Sequence, residues 1–257
     1  MKAIHKHLLE VFTFFHNFCD EHKLSYVMLG GTMLGAIRHK GFIPWDDDID
    51  VGMLRADYEK LLSLKDTIKP PFKLDSIEFN DFHISPFIKI QNLKYSVNEV
   101  NYEKVETGIW IDVFPLDYTF NSEALQRLQI YTSRKTKACI KVKQDFYSMT
   151  EKRFWKYPTI ALVKLLPISF YKTLLKIIEK LGPLFGRKKQ IANLYGAWGH
   201  KESAPVKVFT ERQLFDFENH AFYGMKHYDY WLRKVYGDYM KLPPKEEQKF
   251  RHILEDA

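Results

Sequence analysis

The order of hydrophobic periodicities in the first 64 residues is the feature that most constrains the fold. Residues 3–22 place apolar side chains at helical spacing, and residues 25–29 then have the composition of a strand. After a Gly-Gly turn, residues 33–37 suit a short helix, residues 44–53 lead into a strand, and residues 57–64 suit the next helix. This alternation predicts an α/β or α+β core rather than a helical bundle.

The remainder of the chain divides into two kinds of pattern. Residues 68–118 are rich in strand-forming residues, most clearly at 87–90 and 110–114, whereas the pattern from about 122 onward is helical and interrupted by prolines. We therefore expect a core at residues 1–121 and a mainly helical region at 122–257 that packs on it.

Composition and charge restrict the class of protein without choosing a function. The 257 residues carry a formal charge of +7, which favours an anionic partner such as a nucleotide, nucleic acid or lipid surface. The chain contains no run of eighteen apolar residues and does not start with a signal peptide, so a cytoplasmic location is expected. Its two cysteines have neither disulfide nor metal-site spacing.

An acidic run at residues 46–50 predicts a metal site. Asp48, Ile49 and Asp50 alternate polar and apolar, so on a strand both carboxylates would project from one face, roughly 7 Å apart. Divalent cations such as Mg²⁺ prefer oxygen ligands of this kind. Asp46 shares this parity and is a possible further ligand, whereas Asp47 would point the other way and act structurally.

The segment before the acidic run has the residues that a phosphate site needs. Gly30 and Gly31 allow positive φ and close approach of the backbone, and Thr32 suits the N-cap of a short helix whose free N–H groups could face a phosphate. Arg38 and Lys40 add positive charge between this turn and the carboxylates.

Simpler interpretations do not account for these motifs together. A solvated acidic turn does not need the alternating Ile49 and Val51, and a calcium loop starting at Asp46 would need glycine where Val51 stands. The glycine segment alone fits neither the dinucleotide-binding pattern nor the P-loop, so without the carboxylates it would be a tight connection.

Two further features have more than one interpretation from sequence alone. Asp112, flanked by Ile111 and Val113, is expected to be a buried acid that a metal, another cation or an ordinary salt bridge neutralises. Residues 152–189 combine large apolar side chains with ten Lys or Arg, which suits either a membrane interface or an amphipathic helical region packed on the core.

Three segments together resemble the LicD family, which comprises bacterial phosphocholine transferases and the fukutin-related enzymes. They are GGTMLGAIRHKGFIPWDDDIDVGMLRADYEKLL, GIWIDVFPLD at 108–117 and YGDYMKLPPKE at 236–246. The resemblance implies an α+β, nucleotidyltransferase-like fold with a mixed sheet flanked by helices. In this fold residues 1–121 would be the catalytic core, and the C-terminal YGDYMKLPP motif would complete the active site.

The resemblance also implies roles for individual residues. Asp48 and Asp50 would be paired ligands of Mg²⁺, or of Mn²⁺, with Asp112 as the third carboxylate. Asp112 is also the candidate to orient or deprotonate the acceptor hydroxyl.

The same resemblance implies which groups hold the donor phosphates. Gly30 and Gly31 would hold them, while Arg38, Lys40 and Lys89 steady them.

The implied reaction is the transfer of an alcohol phosphate from a CDP-linked donor, with release of CMP. Phosphocholine is the first choice of group, and phosphoribitol or phosphoglycerol are alternatives. The acceptor would be a hydroxyl of a cell-surface glycan, such as lipopolysaccharide or teichoic acid, or of its lipid-linked precursor. Such an acceptor would explain peripheral contact of residues 152–189 with the inner membrane surface.

Two other functions stay open as rivals. The protein could transfer the nucleotide itself and release pyrophosphate, or it could be a basic nucleic-acid-binding module. The second is disfavoured because a run of carboxylates repels phosphate when no metal is present, so we expect no nucleic-acid partner.

Overall fold

The computed structural model describes residues 2–81, 83, 85–98, 106–144 and 157–249. Its main feature is a mixed seven-stranded sheet. Five strands follow the order β1-β2-β5-β4-β3, β6 also pairs with β5, and β7 pairs with β6. Two further strands form a separate hairpin. The strands are β1 (Val27–Met28), β2 (Asp50–Leu54), β3 (Phe72–Asp75), β4 (Ile88–Asn98), β5 (Glu106–Thr119), β6 (Gln190–Asn193), β7 (Ser203–Pro205), β8 (Arg212–Phe217) and β9 (His220–Met225).

Helices flank the sheet, so the predicted α+β class with a mixed sheet and helical flanks is confirmed. None of the helices within the described ranges has both the length and the apolar character needed to cross a bilayer. The helices are α1 (Ala3–Glu21), α2 (Gly30–Arg38), α3 (Arg55–Ser63), α4 (Glu123–Lys143), α5 (Tyr157–Leu165), α6 (Ile168–Phe185), α7 (Val206–Thr210) and α8 (Tyr228–Tyr236).

The long helix α1 joins the hairpin to the core. Its apolar stripe buries Leu8, Val11 and Phe12 completely, and Phe12 stacks on Phe222 of β9 with 3.9 Å between ring centroids. Aromatic stacking of this kind adds to the free energy gained from apolar burial. The hairpin is therefore fixed to the same core as the main sheet.

The central strand pair places two predicted site residues side by side. Strands β2 and β5 are parallel, and in their register Asp50 is the partner of Asp112. On β4, the neighbour of β5 on its other side, Lys89 is the partner of Asp112. Three residues far apart in sequence thus lie in one row across the sheet.

Two local expectations differ from the structure. β2 begins at Asp50, so Asp46 to Ile49 form an irregular segment before the strand rather than its first residues. The expectation that Thr32 caps α2 is wrong, because the helix begins at Gly30 with Leu29 at the N-cap. Thr32 lies in the first turn, where its Oγ1 accepts a hydrogen bond of 2.8 Å from the Asp50 backbone N–H.

The chain after residue 121 contains more than helices. Long helices α4 and α6 match the helical pattern, but β6 pairs with the end of β5, and β7 pairs with β6. These strands and the β8–β9 hairpin were not predicted. The proposed division at 121/122 falls between β5 and α4 and remains a prediction, and residues 145–156 and 250–257 of the second part lie outside the described ranges.

Candidate active site

A large cleft lies where the start of α2, the β2–β5 strand pair, α4 and the segment after α8 meet. Its volume is about 1020 Å³, and residues from all three motif segments line it. Segments separated by more than a hundred residues in sequence therefore share one cavity. This cleft contains most of the residues that the sequence identified.

Four of the acidic side chains that line the cleft are the predicted metal ligands, and the placement of three of them follows the predicted parity. Asp46, Asp48 and Asp50 face it together with Asp112, whereas Asp47 is only 1% exposed and does not line it. The Asp112 backbone N–H donates a 2.8 Å hydrogen bond to the Ile49 carbonyl, which joins β5 to the end of the acidic run.

The electrostatics of the cluster point to a cation. Burial raises the pKa of Asp50 well above its ordinary value, and the charges of Asp48, Asp112 and Asp46 raise it further. Keeping all four groups ionised requires positive charge between them. An all-carboxylate set of oxygen donors is the kind that Mg²⁺ or Mn²⁺ accepts, so the residues present fit such an ion.

The acidic run contains a second possible arrangement of ligands. Within the described residues, the group of three whose ligand atoms all lie within 4.8 Å of one another is Asp46, Asp47 and Asp48. Asp50 and Asp112 are instead related through their strand register. The cluster can therefore contribute carboxylate oxygens both from the run and from the strand pair.

The two glycines let the carboxylates pack directly against the start of α2. Gly30 has a φ of 52°, as predicted for this turn, and a methyl group on it would lie 2.6 Å from Asp50 Oδ2. A methyl group on Gly31 would overlap Asp46 Oδ2. Only glycine lets the backbone pass this close, which leaves the N-terminal N–H groups of α2 near the acidic cluster.

The predicted cations occupy three different environments. Arg38 lines the cleft, but its Nη1 donates to the carbonyls of Tyr239 at 2.9 Å and Lys241 at 3.4 Å, so it also holds the C-terminal segment. Lys40 is exposed and is not among the residues that line the cleft. Lys89 is buried in the cleft, with its Nζ 3.8 Å from the centroid of the Trp110 ring.

Sequence reasoning missed three cations on α4. Arg134, Lys137 and Lys141 all line the cleft, and they recur at intervals of three and four residues. That spacing places them on one helix face and was visible in the sequence. Nothing in the sequence indicated that this face of α4 turns toward the carboxylates.

Glu202 is a second residue that was not predicted. Its Oε1 accepts a 2.8 Å hydrogen bond from the Trp198 backbone N–H, and its Oε2 accepts one of 2.9 Å from Asn193 Nδ2. Burial raises the pKa of Glu202 to about 7. The side chain thus fixes the loop between β6 and β7 at the edge of the cleft.

An aromatic pair lies at the same edge. Trp198 and Tyr236 both line the cleft, with ring centroids 5.2 Å apart and ring planes nearly perpendicular. Burial raises the pKa of Tyr236 well above its ordinary value, with Asp50 as the next contributor. Gly237 follows with a φ of 71° and ends α8.

The mixed sheet, the carboxylate-lined cleft and the glycine turn define an α+β enzyme. Residues 23–170 match the family described as LicD/FKTN/FKRP, nucleotidyltransferase domain. The lipopolysaccharide cholinephosphotransferase LicD of Haemophilus influenzae is 31% identical over 258 residues, which cover 96% of this chain and 94% of the relative. The chain therefore belongs to the LicD family and is a LicD-type transferase.

Shorter similarities concern one part of the chain. Uncharacterised proteins of Rickettsia prowazekii and Rickettsia typhi are each 43% identical over 42 residues, which is 16% of this chain. They add no information about activity.

Proposed function

We propose that this protein transfers phosphocholine from CDP-choline to a hydroxyl of a cell-surface glycan or its lipid-linked precursor, and releases CMP. The observation that carries the proposal is the cluster of Asp46, Asp48, Asp50 and Asp112 in one cleft beside Gly30 and Gly31. The similarity to a lipopolysaccharide cholinephosphotransferase over nearly the whole chain supports both the group transferred and the class of acceptor.

The residues that would hold Mg²⁺ or Mn²⁺ are Asp48, Asp50 and Asp112, with Asp46 as a further ligand. Such an ion, when bound, supplies Lewis-acid stabilisation of negative charge on the donor diphosphate. Phosphate oxygens would contact the N-terminal N–H groups of α2 beside Gly30 and Gly31, which both line the cleft.

Asp112 is the residue that acts on the acceptor hydroxyl. The acceptor oxygen attacks the phosphorus that carries choline, and the bond from that phosphorus to the oxygen shared with CMP breaks. The electron pair of that bond leaves with CMP, and the hydroxyl proton passes to Asp112. The register partner Lys89 steadies the phosphate charge from β4.

The aromatic pair Trp198 and Tyr236 favours choline among the possible alcohols. Aromatic rings attract quaternary ammonium groups through their faces, and this attraction is strongest for tryptophan. Ribitol and glycerol carry no such charge and would gain less from these rings.

We also propose a peripheral contact with the inner membrane surface through the helical part of residues 152–189, of which 157–189 are described. We call α5 and α6 together with residues 186–189 the α5–α6 surface. It exposes Leu165 (78%) and Leu184 (71%). Exposed cations on the same surface include Lys176, Lys180, Arg187, Lys188 and Lys189. Apolar groups among cations match an anionic lipid surface.

A panel of CDP-alcohols tests the proposed reaction. Purified protein with Mg²⁺ and a lipid-linked glycan extract is expected to release CMP from CDP-choline faster than from CDP-ribitol or CDP-glycerol. Faster CMP release from CDP-ribitol or CDP-glycerol would mean that the protein transfers that alcohol phosphate instead of phosphocholine. Pyrophosphate release from CTP or ATP, without CMP release from any CDP-alcohol, would favour nucleotide transfer instead.

A further inference from the structure

The cations that α4 brings to the cleft have no role in the reaction described above. Arg134, Lys137 and Lys141 line the cleft from the α4 side; Arg134 is exposed, and Lys137 and Lys141 are partly buried. Lys135 of the same helix is exposed and does not line the cleft, and its Nζ lies 5.3 Å from the centroid of the Tyr131 ring. We call the first three the α4 cation cluster. The helix therefore brings three of its cations to the cleft and directs Lys135 elsewhere.

The environment of Lys137 is unusual for a lysine. Its Nζ lies 5.0 Å from the centroid of the Phe87 ring at the floor of the cleft. Burial lowers the pKa of Lys137 to about 8, the charge of Lys141 lowers it further, and the charge of Asp112 acts in the opposite direction. A partly buried ammonium beside other cations is unfavourable, and an anion placed next to it would reduce that cost.

Ion pairs with described carboxylates do not account for two members of this cluster. Within the described part of the chain, neither Arg134 nor Lys137 forms an ion pair with a carboxylate, although both contribute to the potential at Glu202. Of the other cations expected near phosphate, Arg38 donates to carbonyls of the C-terminal segment and Lys40 is exposed away from the lining, so Lys89 of β4 is the one that the cluster would act with.

We infer that Arg134, Lys137 and Lys141 bind the diphosphate of the nucleotide donor from the α4 side of the cleft. The inference rests on the proposed function for the identity of the donor. A diphosphate is the anion that fits, because it must approach the carboxylates and yet would be repelled by them if no cations lay opposite. Arginine and lysine are also the side chains that form strong charge-assisted hydrogen bonds to phosphate oxygens.

Calorimetric binding of CDP, inorganic pyrophosphate and cytidine to the full chain, with Mg²⁺ present, tests this inference. Arg134→Gln and Lys137→Gln are each expected to weaken binding of CDP and pyrophosphate by roughly tenfold or more, since each removes a hydrogen bond to a charged group. Binding of cytidine should not change. Lys135→Gln is the matched control on the same helix and should bind all three as the wild type does.

A second set of variants separates binding from folding. Lys141→Gln removes a positive charge and should weaken CDP binding, whereas Lys137→Arg keeps the charge and should largely retain it. Unchanged CDP affinity in folded Arg134→Gln and Lys137→Gln proteins would overturn the inference. It would also be overturned if these variants raised only the KM for the glycan acceptor.

The same experiment distinguishes this inference from the proposed reaction. One outcome is that the wild type releases no CMP from CDP-choline, while the variants bind pyrophosphate more weakly than the wild type. The cluster is then an anion site and the proposed reaction is wrong. If CDP-choline is turned over with an equal KM in wild type and variants, the reaction stands and the inference fails.

Discussion

Asp46, Asp48 and Asp50 face one cleft because their side chains alternate with the buried Asp47 and Ile49. This parity persists although regular strand begins only at Asp50. The alternation of polar and apolar residues was therefore enough to predict which carboxylates share a face. It did not require the whole segment to be a strand.

Replacing Asp50 by Asn removes one charge from this cluster at nearly constant volume. We expect turnover to fall by at least roughly a hundredfold, as when other groups that stabilise transition-state charge are removed. The thermal midpoint measured without divalent cations should not fall, because the substitution also removes repulsion from Asp48, Asp112 and Asp46. Turnover is measured by CMP release and the thermal midpoint by circular dichroism, on the same preparation.

The control for this substitution is Asp216→Asn, which changes an exposed carboxylate on β8. It should retain wild-type turnover. Full activity of Asp50→Asn at saturating Mg²⁺ would show that Asp50 is not a metal ligand.

Glu202 predicts a pH dependence of stability with a definite sign. Its pKa rises from 4.5 to about 7 on folding because the carboxyl is buried. The folded state therefore binds the proton more tightly, and the stabilisation is fully present below pH 4.5 and lost as the pH rises through about 7. Between pH 5 and pH 8 this loss amounts to roughly 2 to 3 kcal/mol.

Glu202→Gln should abolish this part of the pH dependence. Urea unfolding at several pH values gives the free energy of unfolding of each protein as a function of pH. The slopes of the two curves are compared, because loss of the carboxylate also changes the absolute free energy. Equal slopes in wild type and variant would show that Glu202 does not titrate in this range.

Some site residues could not be predicted at the residue scale. Thr32 has a good N-cap side chain, but Gly30, with its positive φ, already begins the helix, and Thr32 Oγ1 bonds to Asp50 instead. The roles of Lys137 and Glu202 depend on which helix face and which loop pack over the cleft. Such tertiary contacts leave no local signal in a single sequence.

A buried ion-pair network joins three elements of the fold. Arg55 at the start of α3 donates two hydrogen bonds to Asp117 of β5, at 2.7 and 2.6 Å, and its Nη2 lies 3.0 Å from Glu179 Oε1 of α6. Tyr195 donates a further bond of 2.6 Å to Glu179. Asp117 ends the second family motif, so the network fixes the strand that carries Asp112.

Removing the arginine should therefore destabilise the whole protein. Arg55→Met is expected to lower the free energy of unfolding by roughly 3 to 5 kcal/mol, because it leaves the carboxylates of Asp117 and Glu179 without their partner. Arg127→Met, which breaks an exposed pair with Glu123 on α4, should cost at most about 0.5 kcal/mol. Equal losses in urea unfolding would contradict a structural role for the network.

The α5–α6 surface gives a prediction about lipid binding. The wild type should co-sediment with vesicles that contain phosphatidylglycerol. The double variant Leu165→Gln and Leu184→Gln should bind them at least roughly tenfold more weakly, because it removes apolar side chains that would enter the interface. The variant Leu214→Gln removes an exposed leucine of β8 and should bind as the wild type does.

The outcome for pure phosphatidylcholine vesicles is equally informative. Binding should be weaker than to the anionic vesicles if the lysines contribute. Absence of wild-type binding to either vesicle would contradict the membrane contact.

The long elements could be predicted from sequence, whereas the short ones could not. α1 and the centres of β4 and β5 follow clear periodicities. The hairpin β8–β9 was missed because its two-residue turn is Glu218-Asn219, with φ values of 51° and 63°, rather than the common Asn-Gly. Positive φ at glutamate is uncommon, and nothing in its sequence neighbourhood indicates it.

On the scale of the whole molecule, one sheet collects residues from distant parts of the chain. β5 pairs with β4, β2 and β6 along its length, so the sheet includes strands from both sides of residue 121. The cleft likewise combines the early carboxylates, the α4 cation cluster and the segment after α8. The active site is therefore expected to form only when both parts of the chain have folded together.

The overall charge of +7 has a specific distribution that composition could not reveal. Cations of α4 line the same cleft as the predicted metal ligands, while lysines of the α5–α6 surface are exposed to solvent. One set suits a nucleotide diphosphate and the other a lipid surface. This arrangement is consistent with a soluble donor and a membrane-bound acceptor meeting at one protein.

The fate of the donor's two phosphorus atoms tests the central claim most directly. CDP-choline is prepared with a radioactive label only in the phosphate that carries choline, and it is incubated with the protein, Mg²⁺ and lipid-linked glycan. The account predicts that the label enters the glycan fraction in a one-to-one ratio with unlabelled CMP. Label that stays in soluble choline phosphate, or a glycan that gains the cytidine nucleotide instead, would contradict it.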